Sequence, residues 1–311
     1  MTDLTIIILS YNGKELLKQT LDSVLESIGN KLNVQIIVCD NGSVDGSVEM
    51  IKAKYCMVGL VENNANLGFS AGNNRAISKI KGEYVLFLNS DTKVFEGVFE
   101  TMINKFHEDP KLGAATCRVE LLDGTLDPAC HRGFPTPWRA FCYYLGLEKL
   151  VKKTDSLFLK NIFGGYHLLG SNMNVSHEID SCTGAFLMLP RGVGESVGWW
   201  DETYFMYGED LDLCYKIKNK GLSVKYFPDV KILHLKHQSG LKKDVIGQNV
   251  DIDEIVLKKE IKQRTTIAFY DAMRIFYSKH YKNSYPVIVK NLVYWAIKYK
   301  KNKALIKILK S

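Results

Sequence analysis

Three runs of nearly uninterrupted apolar residues, Leu4 to Leu9, Val34 to Cys39 and Tyr84 to Leu88, have the length and continuity of buried parallel strands. Between and after them, Lys14 to Ser27, Ser47 to Lys54 and Ala71 to Lys79 carry apolar residues at three- and four-residue intervals, the period of a helix with one buried face. This alternation predicts an α/β protein with an open, mostly parallel central sheet and helices on both faces. Gly113 to Cys117, Ala185 to Leu189 and Ser223 to Phe227 are further strand candidates, and a helix is expected over Asp210 to Asn219, stopped by Gly221. Asp123 to Ile179 lacks a clean period and holds Pro128, Pro135, Pro137 and Gly164-Gly165, so it reads as a long excursion from the sheet suited to substrate contact. Its aromatic residues, among them Phe134, Trp138, Phe141, Tyr143 and Tyr144, serve that purpose or form a local core.

In such a sheet ligands bind beyond the carboxyl ends of the strands. The three strands end in Ser10-Tyr11-Asn12-Gly13, Asp40-Asn41-Gly42-Ser43 and Asn89-Ser90-Asp91-Thr92. Each taken alone suits a helix cap or a turn, but three on one edge favour a site. Asp91 suits a divalent cation, Mg2+ or Mn2+, through oxygen ligands. Glu209-Asp210-Leu211-Asp212 puts three acids at a helix start, where the dipole favours them; the preceding Phe205-Met206-Tyr207-Gly208 shapes a pocket that would raise the carboxyl of Asp210 towards the range of a general base. His234, closing the apolar run Val230 to Leu233, is a structural residue or a metal ligand; His237 has a weaker claim.

The chain of 311 residues, 46% hydrophobic and 24% charged, excludes disorder and low complexity. No run approaches the roughly 18 apolar residues of a spanning helix, and Met1-Thr2-Asp3 does not open a signal peptide, so a cytoplasmic protein is expected. Seven scattered cysteines without a Cys-x-x-Cys pair read as reduced core thiols. The net charge of +7 is uneven: residues 1–240 carry 25 basic and 28 acidic side chains, and residues 241–311 carry 16 and 6. After Asp271 there is no acid, while nine lysines follow from Lys279 to Lys310. That tail faces an anionic partner, and nucleic acid is disfavoured because the first 240 residues carry no basic patch.

The ordered set Leu9-Ser10-Tyr11-Asn12, Asp40-Asn41-Gly42-Ser43, Asn66 to Asn74, Asn89-Ser90-Asp91, Thr183-Gly184-Ala185, Gly208-Glu209-Asp210 and His234 resembles the inverting family 2 glycosyltransferases, most of all their bacterial rhamnosyltransferase-like members. The resemblance covers about residues 4 to 240 and rests on the order and spacing of the motifs. It implies a GT-A fold over residues 1–240, with residues 241–311 a basic helical extension, and binding of a nucleotide-diphosphate sugar with Mg2+ or Mn2+. By carry-over, Leu9, Tyr11 and Asp40 hold the nucleoside, Asp40 through the base; Gly72, Asn73, Asn74 and Ser90 approach the nucleotide or its phosphates. Gly184, Ala185 and Glu209 line the donor pocket, Asp91 and His234 hold the metal, and Asp210 is the catalytic base. Two departures stand: Asn89 replaces the first acid of the Asp-x-Asp motif, and Asn73 replaces an arginine of many relatives, a charge that Arg75 would supply.

The chemistry agrees with that implication. Glycosyl transfer needs a base for the acceptor hydroxyl on one face of the sugar and a stabilised diphosphate on the other; one carboxylate base without a covalent nucleophile means a single displacement with inversion. The favoured reading is rhamnosyl transfer from dTDP-rhamnose to a glycan or lipid-linked acceptor in bacterial surface polysaccharide synthesis, with a UDP-hexose donor the alternative. A sugar-phosphate nucleotidyltransferase would need a basic Gly-rich loop where Ser10 to Leu16 holds one glycine and Lys14 only, and a dinucleotide oxidoreductase lacks its G-x-G-x-x-G. A non-catalytic sugar-nucleotide sensor is the remaining alternative. In the tail, Val287 to Lys301 predicts a helix with Ile288, Leu292, Trp295 and Tyr299 on one face and Lys290, Lys298 and Lys301 on the other, a stripe that Lys303 and Lys310 interrupt further on. It lies on the headgroups of an anionic membrane, making the protein peripheral on the inner face, or it packs its apolar face on the catalytic domain.

Overall fold

The computed structural model describes residues 2–235 and 252–310. The first half follows the expected alternation: β1 (Leu4–Ser10), α1 (Lys14–Ser27), β2 (Val34–Asp40), α2 (Ser47–Lys54), β3 (Gly59–Glu62), α3 (Gly68–Asn74) and β4 (Tyr84–Asn89). β1 pairs in parallel with β2 and β4, and β3 extends the sheet beyond β2. Leu4, Ile6, Ile7 and Ile8 are all fully buried, because a strand covered on both faces needs apolar side chains on both.

The second half contains β5 (Thr92–Val94), α4 (Val98–Glu108), β6 (Leu112–Leu121), α5 (Pro137–Tyr144), α6 (Leu147–Val151), α7 (Leu157–Phe163), β7 (His177–Glu178), β8 (Phe186–Pro190), α8 (Arg191–Val197), α9 (Glu209–Asn219) and β9 (Ser223–His234). The strand order is β3-β2-β1-β4-β8-β6-β9-β5, with β7 on β9. β6 and β9 are parallel, but β8 runs antiparallel between β4 and β6. The sheet is therefore parallel in its first half and mixed in its second. The chain reaches β8 through the excursion and not through a helical crossover, so nothing imposes a parallel entry.

Several expected boundaries move. The helix expected over Ala71 to Lys79 begins at Gly68 and stops at Asn74, with a separate 3-10 turn at Ile77–Lys79. Asn73 Nδ2 donates to Phe69 O and Asn74 Nδ2 to Trp200 O, side-chain bonds of the kind that compete with helix propagation. β9 runs on through Val230 to Leu233, and the register shift opposite Cys117 and Arg118 accommodates Pro228 within it. The excursion is not irregular but holds three short helices. Two of its prolines precede or open α5, where Thr136 caps the helix and Pro137 fits the first turn, so a residue that looks like a breaker marks a start. Six cysteines are buried thiols, as expected, and Cys56 is exposed.

The C-terminal region is helical: α10 (Ile252–Phe276), a π-helical turn at Tyr277–Tyr281 and α11 (Val287–Lys310). Phe276, Tyr277 and Tyr281 join the main core, and the π turn aims Lys279 and His280 at Asp212 of α9, at 2.7 Å each. The boundary expected between residues 240 and 241, and His237, lie outside the described residues. Among the described residues no helix is long and apolar enough to cross a membrane. In α11, Val293 and Tyr294 pack on the core and Lys301 reaches Asp271 at 2.9 Å. Ile288, Leu292, Trp295 and Tyr299 are exposed. The packing alternative for that stripe therefore fails: another face of α11 meets the protein. Lys303 and Lys310 interrupt the stripe as expected, since both fall in line with Leu292, and Ile306 and Leu309 are exposed between them.

Candidate active site

The carboxyl ends of β1 and β2 make the first part of the site. Ser10 and Asp40 are register partners, and the loops beyond them are tied by Asn12, whose Oδ1 accepts from Val44 N at 2.8 Å and whose N–H donates to Ser43 Oγ at 2.9 Å. Asp40 Oδ1 accepts from the N–H groups of Gly42 and Ser43, while its Oδ2 is buried without a hydrogen-bond partner, as is Ser10 Oγ. Buried polar atoms of this kind are rare, and these belong to the last residues of β1 and β2, the strand ends beyond which ligands bind in such sheets. Tyr11 stands half exposed beside them.

The segment from Asn66 to Asn74 contributes differently. A Cβ on Gly72 would meet Asn41 Oδ1 and Leu9 Cδ1, both at 2.7 Å, so its missing side chain serves the packing of α3 on β1 and β2. Gly68, at φ +82°, is pressed against the carbonyl of Phe205, which accepts from Phe69 N at 2.7 Å. That contact fixes the Phe205 to Gly208 loop in front of α9. The amide NH2 groups of Asn73 and Asn74 are occupied by the bonds already described, while Asn74 Oδ1 is buried without a partner.

The end of β4 makes the second part. Pairing of β5 with β9 sets Thr92 opposite His234, and Leu235 N donates to Asp91 O at 2.7 Å. His234 Nε2 lies 3.1 Å from Asp91 Oδ1 and 3.3 Å from Asn89 Nδ2, and Nδ1 lies 2.8 Å from Asp127 Oδ2. Burial alone would lower the basicity of this imidazole, but its bonds to Asp127 and Asp91 override that and raise its pKa to about 9. A carboxylate on Nδ1 fixes the ring so that Nε2 is the nitrogen that could reach a metal, in place of its present bond to Asp91. The carboxylate oxygen of Asp91 suits Mg2+ or Mn2+, and the imidazole nitrogen of His234 favours Mn2+ of the two, so the donor pair fits a divalent cation. No cluster of three or more such ligands occurs among the described residues, so further ligands would come from the donor and water. Ser90 is half-buried between these groups.

The start of α9 makes the third part. Arg132, from the excursion, donates from Nη2 to Asp210 Oδ2, and Leu211 N donates to Asp210 Oδ1 at 2.8 Å. Burial and the neighbouring Asp210 push the Glu209 carboxyl up to about 8, and Glu209 Oε2 is buried without a partner. The carboxyl lifted by the pocket is thus that of Glu209, and Asp210 is paired with a guanidinium. Asp210, Glu209, His234 and Gly184 line one cavity of about 620 Å³. Ala185 lies behind it, fully buried, with its carbonyl accepting from Asn89 N. Asp127 and Arg132 are the residues that the sequence did not single out.

A family model described as "Glycosyl transferase family 2" matches residues 5–159. The chain is a family 2 glycosyltransferase. It is 26% identical over 253 residues to the N-acetylglucosaminyl-diphospho-decaprenol L-rhamnosyltransferase of Mycobacterium tuberculosis, a match covering 77% of this chain and 79% of that protein. Among solved structures, this glycosyltransferase is similar to GalNAc-T7 with UDP, GalNAc and Mn2+, at a TM-score of 0.57 and 14% identity over 86% of this chain and 51% of that one. It is also similar to a mannosyltransferase from Pyrobaculum calidifontis in complex with GDP-Man and Mn2+, at a TM-score of 0.53 and 17% identity over 99% and 75%. These likenesses make the glycosyltransferase fold GT-A-like.

Proposed function

We propose that the chain transfers a sugar, favoured as L-rhamnose from dTDP-rhamnose, to a hydroxyl of a glycan or lipid-linked acceptor in bacterial surface polysaccharide synthesis, with inversion. The observation that carries this reading is the meeting of Asp210, Glu209 and His234 in one cavity. Tyr11 and Asp40 bind the nucleoside, the buried Asp40 Oδ2 accepting from the base. Asp91 and His234 would hold Mg2+ or Mn2+, which supplies a Lewis acid for the leaving diphosphate when bound. Asp127 fixes the ring of His234 by accepting a hydrogen bond from its Nδ1–H. Asp210 takes the acceptor proton, with its carboxylate oriented by Arg132 and Leu211 N. Glu209, whose carboxyl burial and the neighbouring Asp210 hold above the ordinary range, leaves the base role to its neighbour.

The mycobacterial relative supports the rhamnosyl donor and an acceptor carried on a lipid diphosphate. The likeness to proteins solved with UDP or GDP-Man keeps a hexose donor as the second reading. Calorimetric titration of the protein with dTDP, UDP and GDP, each with Mn2+ or with EDTA, tests it. Metal-dependent preference for dTDP supports rhamnosyl transfer, preference for UDP redirects it to a hexose, and no binding of any nucleotide defeats it.

A further inference from the structure

The cavity that begins at Asp210 becomes apolar away from it, where Tyr143 and Tyr144 of α5, Phe269 and Met273 of α10, and Val293 and Ile297 of α11 form its walls. The helices that make this end also carry the largest exposed apolar side chains of the molecule. On α11, Ile288, Leu292, Trp295, Tyr299, Ile306 and Leu309 form a single row at helical spacing, and Trp295, 64% exposed, stacks on Tyr299 at 5.4 Å. On α5, α6 and α7, Trp138, Phe141, Leu150, Leu157 and Phe158 are exposed, Phe158 at 70%. The helices that carry the two groups touch. Lys300 of α11 sits 5.1 Å over the Tyr144 ring of α5, and Trp138 of α5 lies 5.9 Å from Phe163 of α7.

Charge says what covers them. At 3.6 residues per turn, Lys298 falls on one side of the α11 row and Lys307 on the other, while Lys303 and Lys310 lie at the edge of the row in line with Leu292, all exposed. Exposed Lys149, Lys152 and Lys153 accompany the α6–α7 residues, where Glu148 is buried and bonded to His167. Apolar rows bordered by lysine, with aromatic residues among them, match the boundary between acyl chains and anionic headgroups: the rings and aliphatic tips enter the acyl boundary and the ammonium groups meet the phosphates. A second protein with an acid-poor apolar face would leave these lysines unpaired.

We propose that α5–α7 and α11 together form a seat for an anionic lipid surface, with the apolar end of the cavity beside it admitting the lipid part of the acceptor. This deepens the acceptor reading above and rests on it for its purpose, but the seat is tested without turnover. The full chain is floated with vesicles of phosphatidylcholine alone or with about one third phosphatidylglycerol, alongside Trp295→Glu and Phe158→Glu, while nucleotide binding is measured by calorimetry on each protein. Both substitutions are at exposed positions, so unchanged nucleotide affinity serves as the control on folding. The expected result is capture by the anionic vesicles at least tenfold above the neutral ones, and a loss of tenfold or more in each variant. Absence of capture, capture that neither variant weakens, or concentration-dependent self-association without vesicle binding overturns the seat. Weakening by Trp295→Glu alone overturns the part assigned to α5–α7. Vesicle capture without nucleotide binding leaves the seat standing and defeats the catalytic reading instead.

Discussion

The guanidinium of Arg132 donates to the carboxylate of Asp210 although 78 residues separate them in the chain. The pair joins the excursion to the start of α9, and both side chains are largely shielded from solvent. Breaking such a pair from one side leaves a buried charge without compensation, a loss of about 3–5 kcal/mol. Arg132→Gln is therefore expected to lower the midpoint of urea unfolding sharply and to reduce transfer. Unfolding at the parental midpoint would show that the pair does not hold α9 in place.

Asp210→Asn keeps the shape of the pair while removing the proposed base and the charge that compensates Arg132, so it too should lose stability, and it is compared with the parent where urea unfolding shows both to be folded. Nucleotide affinity should stay within about twofold and transfer should fall by about 10²–10⁴-fold, the usual contribution of a positioned base. Turnover near the parental rate would assign the proton to another group, with Glu209 first in line.

Asp91→Ala removes the carboxylate that faces His234 Nε2 at 3.1 Å. The expected outcome is that Mn2+ no longer strengthens nucleotide binding, while the residual affinity in EDTA is unchanged. A Mn2+ effect equal to that of the parent would rule Asp91 out as a ligand.

Acid should loosen the C-terminal helices. Burial opposes ionisation of Asp201, but Lys279 and Thr203 outweigh it and hold the carboxyl at about 2, below its ordinary 3.8; Lys279 and His280 likewise lower Asp212. A depressed folded pKa means stability that is complete above about pH 4 and is lost as pH falls towards 2. For the partly exposed Asp201–Lys279 pair this amounts to about 1 kcal/mol after screening by solvent. Urea unfolding at pH 6 and pH 3 should show a larger drop in the parent than in Lys279→Met. Equal drops would remove this contact from the account.

Gly68→Ala forces a side chain into a left-handed position where its Cβ would lie 2.2 Å from Phe205 O. Backbone strain of about 1–3 kcal/mol is expected, with a rise in KM because the loop before Glu209 shifts. An unchanged KM in a stably folded variant would separate that loop from substrate binding.

Asp40, Asp91, Asp210 and His234 were legible because each lies at the end of a strand or the start of a helix, where local pattern reports position. Asp127 and Arg132 were not. They sit in a stretch whose short helices leave no sustained period, and their partners His234 and Asp210 are 107 and 78 residues away. The antiparallel β8 was hidden for a similar reason, since an apolar run such as Phe186 to Leu189 has no direction until its neighbours are known. In α11 the period was plain, but which face met the protein depended on α10, whose bounds no local pattern marks.

The pairing of β6 with β9 sets Leu112 beside Ser223 and Leu121 beside His234. During synthesis β1 to β4 emerge and can pair early, whereas the groove that receives β9 must wait until more than a hundred further residues have left the ribosome. His234 is the last of the proposed site residues to be made. A nascent chain therefore assembles the proposed nucleoside edge before the strand that carries His234 exists, so the two parts of the proposed site come together only when β9 enters the sheet.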